Sequence, residues 1–161
     1  MKLSFHGAAQ DVTGSCFLLR VGARHILIDC GLYQGGRDLV ELNAMPFGFD
    51  PALVDYVLLT HAHLDHCGRL PLLVKAGFRG RIIATDATRE LARLALMDAA
   101  FLQEEEARRA SARSGRRGGK DREPLYRIVD ALRTIDFFGV PAGYDADIDL
   151  GEGISARFID A

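Results

Sequence analysis

Hydrophobic and polar positions divide this chain into strands, a hairpin and one long helix. Lys2 to His6 alternates in the manner of a half-buried strand, and Gly7 to Gly14 follows as a loop of small residues. Ser15 to Val21 and Arg24 to Asp29 are β-rich runs, and the Gly22-Ala23 step between them predicts a hairpin. Cys30-Gly31 closes the second run. Residues 32–50 are irregular, with a short helix expected near Leu39 to Asn43, and Asp50-Pro51 marks a turn. Tyr56 to Thr60 is a short apolar run of the buried-strand kind.

Leu70 to Ala76 predicts a short helix, with Gly77 as its stop. Arg81 to Thr85 reads as a strand. A long helix is expected from Thr88 to roughly Ser111, with Leu91, Leu94, Leu96, Ala99 and Leu102 as its apolar stripe. Ser114 to Glu123 breaks it with glycine and arginine, and Pro124 reinforces the break. Tyr126 to Leu132 suggests another short helix. Ile135 to Val140 and Ile154 to Ile159 suggest strands, the latter after a Gly151-Glu152-Gly153 turn. Strands first, then strands alternating with helices, predict an α/β layered fold.

The 161 residues, 48% of them hydrophobic, suffice for one sizeable core, so a single domain is expected. A formal net charge of -2 gives no global attraction to nucleic acid or anionic membranes. Three cysteines, Cys16, Cys30 and Cys67, read as reduced thiols and not as a disulfide framework. The N-terminus has no signal-peptide pattern, and no apolar run is long enough to span a bilayer. The expectation is a cytoplasmic protein with no membrane association.

The chemistry concentrates directly after the Tyr56–Thr60 run, in His61-Ala62-His63-Leu64-Asp65-His66. On a turn leaving a strand, His61 and His63 can serve one zinc and Asp65 and His66 a neighbouring one. Two such metals can activate a water for attack on an ester, amide or phosphodiester. An accidental match to this pattern has a chance on the order of a few in ten thousand. Three surface histidines in six residues after a buried strand would be a poor alternative.

Other features carry less. His6 reads as a partly buried strand-end residue and His25 as solvent-facing; Cys67 beside His66 reads as packing, like Cys16 and Cys30. Arg108, Arg109, Arg113, Arg116, Arg117, Lys120 and Arg122 form a basic run opposed only by Asp121. Arg116, Arg117 and Lys120 are the candidate nucleic-acid contacts; a solvated loop is an equal reading, and no aromatic residues are interleaved for base stacking. Glu104-Glu105-Glu106 reads as a solvated helix face.

The His-x-His-x-Asp-His pattern resembles the metallo-beta-lactamase superfamily. The wider context resembles its beta-CASP branch of RNA-processing nucleases: residues 7–16, Asp29-Cys30-Gly31, Leu59 to Pro71 and the Gln103-Glu104-Glu105 stretch. The resemblance implies a partial αββα metallo-beta-lactamase sandwich, with His61, His63, Asp65 and His66 as ligands of a two-zinc site. Asp29 would orient the histidine loop without touching metal, so Asp65 and Asp29 are the candidate catalytic carboxylates. It implies a zinc-dependent ribonuclease acting on RNA phosphodiesters. A generic ester, thioester or lactam hydrolase, or a non-catalytic RNA- or protein-binding module, are the alternatives.

The resemblance also implies more ligands: a further histidine after a segment like Phe158-Ile159-Asp160-Ala161, a bridging aspartate, and a last histidine beyond an inserted beta-CASP domain. Histidines occur here only at 6, 25, 61, 63 and 66. Residues 1–161 are therefore expected to form the N-terminal part of such a domain, inactive alone, without the second half or the insertion. RNA is the expected partner of the full-length parent, and a homo-oligomer or a complementing C-terminal segment the expected source of missing ligands.

Overall fold

The computed structural model describes residues 1–9, 12–114 and 123–160. Five strands form one mixed sheet in the order β1 (Lys2–Gly7), β2 (Cys16–Val21), β3 (Arg24–Ile28), β4 (Tyr56–Leu58) and β5 (Arg81–Ile83). The β1–β2–β3 meander is antiparallel, and β3–β4 and β4–β5 are parallel. Gly22, at φ +58°, makes the tight turn between β2 and β3.

Register divides this sheet into two unlike faces. Leu18, Leu27, Val57 and Ile82 lie side by side across β2 to β5 and are essentially inaccessible to solvent. They share a core with Leu70, Leu73, Ala92, Leu96 and Ala131, so the helices cover this face. The next row, Phe5, Phe17, Ile28, Leu58 and Ile83, points the other way. It is equally apolar but only half-buried, and Phe5 is exposed.

The helices are α1 (Arg37–Leu42), α2 (Leu64–Cys67), α3 (Leu70–Lys75), α4 (Asp86–Ser114) and α5 (Ile128–Ile135). A 3-10 turn at Pro51–Leu53 follows Asp50, whose carboxylate accepts a hydrogen bond from the Ala52 N–H. A separate two-stranded hairpin pairs β6 (Ile148–Asp149) with β7 (Ser155–Ala156).

Three expectations are corrected. In α4, Leu91, Leu94 and Leu102 are exposed, while the buried positions are Ala92, Leu96, Ala99, Ala100 and Ala107. Small alanines let the helix lie close to the core, and that face is set by packing, not by side-chain size. Ile135 to Val140 is no strand: Ile135 ends α5, and only Phe138 bridges to Ile82. Ile135, Phe137 and Phe138 pack partly buried against the core, so tertiary packing overrides β propensity there. The Ile154–Ile159 strand contracts to Ser155–Ala156, with Phe158 making a single bridge to Tyr144.

Candidate metal centre

The site grows from the ends of β3 and β4. At the end of β3 the backbone turns through Asp29 at φ +58°, a conformation Asp tolerates better than most residues. The Asp29 N–H donates to the Leu58 carbonyl at 3.1 Å, which ties the two strand ends together. Its carboxylate is 2% exposed and accepts hydrogen bonds from four groups. The Thr60 N–H donates at 2.8 Å, the Thr60 hydroxyl at 2.9–3.0 Å to both oxygens, the Ser15 hydroxyl at 3.3 Å, and His66 Nδ1 lies at 2.8 Å.

The histidine loop is then locked from its backbone side. Ser15 N–H donates to the Asp65 carbonyl, Cys30 N–H to His66, Leu32 N–H to Leu64, and Arg69 N–H returns to the Cys30 carbonyl, all at 2.7–2.9 Å. A Cβ on Gly31 would overlap the Asp65 carbonyl, so only glycine permits this approach. The sequence pattern placed this motif on a turn; the structure winds its second half into α2, one turn of helix.

Each ligand candidate is consequently aimed. His66 Nδ1 is occupied by Asp29, which leaves Nε2 free, 3.7 Å from the Asp65 carboxylate. His61 Nδ1 is 3.0 Å from the Thr60 hydroxyl, which leaves its Nε2 free, 3.2 Å from His63 Nδ1. Two nitrogens bound to one tetrahedral zinc at the usual bond lengths stand about 3.3 Å apart, so the His61–His63 spacing fits a shared metal. Holding the far nitrogen of an imidazole by a carboxylate or hydroxyl is how proteins orient metal-binding histidines. Burial, then the neighbouring His66 and His63, lowers the pKa of His61, which favours the neutral form a metal needs. Among the described residues no three His, Cys, Asp or Glu side chains converge on one metal position. The motif therefore offers two pairs of donors and not a closed cage.

A model of the metallo-beta-lactamase superfamily matches residues 9–153 of this sequence. The chain belongs to that superfamily. A ribonuclease of Thermus thermophilus is 51% identical over 105 residues, which cover 65% of this chain and 24% of that protein. Transcription termination factor FttA of Methanosarcina mazei is 37% identical over 71% of this chain and 18% of its own length. Cleavage and polyadenylation specificity factor 73 of Drosophila melanogaster is 38% identical over 57% of this chain and 14% of its own length. The matched region thus spans a quarter or less of each of these relatives. They bear out the resemblance to the RNA-processing branch. Among solved structures, a subclass B3 metallo-beta-lactamase from a soil metagenome library superposes with a TM-score of 0.50 at 17% identity. That superposition covers 93% of this chain and 46% of that one, and it supports the superfamily's fold.

The remaining sequence candidates divide. The Cys67 thiol is buried, donates to the Ala62 carbonyl at 3.4 Å and is pushed up to about 12 by burial, as a residue packed in the core would be. Burial also pushes the Cys30 thiol up. His6 is partly buried against the Phe49 ring at 4.9 Å, and burial lowers its pKa. His25, expected in solvent, is half-buried, with its N–H donating to Asp55 at 2.8 Å. Arg116, Arg117 and Lys120 lie outside the described residues. Glu104 is more than a solvated face: its carboxylate accepts the Ile128 N–H that opens α5, while Gln103 accepts the Leu125 N–H. Thr60 and Ser15, each bonded to Asp29, are site residues to which the sequence assigned no role. Their signal was adjacency: Thr60 directly precedes His61, and Ser15 directly follows the small-residue loop.

Proposed function

We propose that this chain supplies one wall of a two-zinc phosphodiesterase site that cleaves RNA. The carrying observation is that His61 and His66 each have Nδ1 committed to an oxygen partner, so that both Nε2 atoms face donors from the same loop. His61 and His63 would hold one zinc, and Asp65 and His66 the other. Zinc bound there supplies a Lewis acid that brings the ionisation of water near neutral pH and offsets charge building on a phosphoryl group. Asp29 acts beneath the site. It fixes the tautomer of His66 directly and the ring of His61 through Thr60, so that neither imidazole must be ordered when metal arrives.

The RNA reading rests on the similarity to the Thermus thermophilus ribonuclease and the other relatives named above. Catalytic zinc commonly has three protein ligands, and each pair here supplies two. We propose that further donors come from polypeptide beyond these 161 residues, completing a longer metallo-beta-lactamase domain, or from a second copy. Arg116, Arg117 and Lys120 would then contact phosphates and make RNA binding fall steeply with salt.

The test is RNA cleavage by a polypeptide that carries the completing donors, with and without alanine at both His61 and His63. The double variant is expected at background. Cleavage undiminished by it would overturn the mechanism, and brisk cleavage by the 161 residues alone would overturn the incomplete-site reading.

A further inference from the structure

A second binding site is suggested on the far side of Arg69. This residue follows the metal loop, yet its side chain takes no part in it. It is 5% exposed, and no salt bridge among the described residues joins it to a carboxylate. Its Nη2 donates to the Met45 carbonyl at 2.8 Å, and its guanidinium lies 4.3 Å from the centre of the Phe47 ring and 5.9 Å from that of Tyr33. Its Nε is buried with no hydrogen-bond acceptor. Stacking on aromatic rings offsets part of the cost of burying a guanidinium, but a buried cation without an anion is an expensive arrangement.

The same side chain lines a cavity of about 420 Å³, within the range of small-molecule sites. Met45, Phe47, Phe49, Leu72 and Leu125 supply apolar wall, and Arg69 is the only charged residue lining it among the described residues. We propose that this cavity binds a small organic anion. Its carboxylate or phosphate head would sit on Arg69 and its apolar body against Phe47, Phe49 and Leu72. A planar guanidinium suits such a head, and an anion would supply the counter-charge that the protein withholds. The proposal is independent of metal binding.

The test is titration of the 161-residue chain with benzoate, phenyl phosphate and uncharged benzyl alcohol, followed by amide and guanidinium NMR signals. Benzoate or phenyl phosphate should move Met45, Phe47 and the Arg69 Nε–H saturably, binding about tenfold or more tighter than benzyl alcohol. A clear preference for one anion identifies the head group. Arg69→Met should remove the preference for anions. Ala76→Trp, at the exposed edge of the cavity, should block all three probes while leaving Arg69 in place, which keeps the test valid if Arg69→Met does not fold. Equal binding of benzoate and benzyl alcohol, anion binding that survives both variants, or no binding of either anion would overturn the proposal.

Discussion

The two ends of the histidine loop are built differently. Asp65 and His66 sit in α2, whose carbonyls are held by Ser15 and Cys30 and whose imidazole rests on the buried Asp29 carboxylate. His61 and His63 lie on the extended approach to that turn. His63 is exposed, and the pair is steadied by the Thr60 hydroxyl at His61 and by the contact between the two rings. One pair is fixed by buried groups of the fold; the other is steadied chiefly by one exposed hydroxyl. Pre-organisation here is a matter of how much buried hydrogen bonding stands behind each ligand.

Asp29→Ala should break the contrast most severely. It strands the buried Ser15 hydroxyl and removes the buried acceptor of Thr60 and His66, and should cost about 3–5 kcal/mol, read from urea unfolding. A loss below ~1 kcal/mol would mean that Asp29 does not carry the α2 end. Gly31→Ala comes next, since its methyl group must displace the Asp65 carbonyl; about 1–3 kcal/mol is expected from the same measurement. Thr60→Val keeps the shape and removes the hydroxyl. It should cost about 1–2 kcal/mol in stability and weaken zinc at the His61 end by about tenfold to a hundredfold, by competition with a chromophoric chelator.

Acid should erode the metal-free fold. His61 and His6 are held below the ordinary histidine value of 6.5, chiefly by burial. The unfolded chain therefore binds protons that the native state refuses, and their contribution is fully present above 6.5 and lost as pH falls through and below that value. Urea midpoints measured from pH 7.5 to 5.5 should decline, and His6→Phe should shallow the decline. A flat profile would contradict the assignment. The smallest effect on stability is expected for His63→Ala, within about 0.5 kcal/mol of the parent because the side chain is exposed, although zinc at that pair should be lost.

The five strands of the main sheet and the ligand loop were legible because both are local patterns. Three imidazoles with a carboxylate in six residues need no tertiary knowledge to notice. The α4 face was misread because large leucines drew attention from the alanines that touch the core. The stretch from Ile135 failed because a short β-branched and aromatic run serves equally as a helix end. Asp29 was recognisable by resemblance, but its four donors were not, since they come from residues 15, 60 and 66 and converge only when β3 meets β4. The charge of Arg69 was visible in sequence; its burial without a carboxylate partner was not.

The most direct test is a zinc titration of the metal-free chain followed by histidine imidazole NMR signals. The account predicts that His61, His63 and His66 respond together and saturate, while His6 and His25 remain unmoved. Zinc that leaves those three rings untouched, or that shifts His6 or His25 instead, would contradict it.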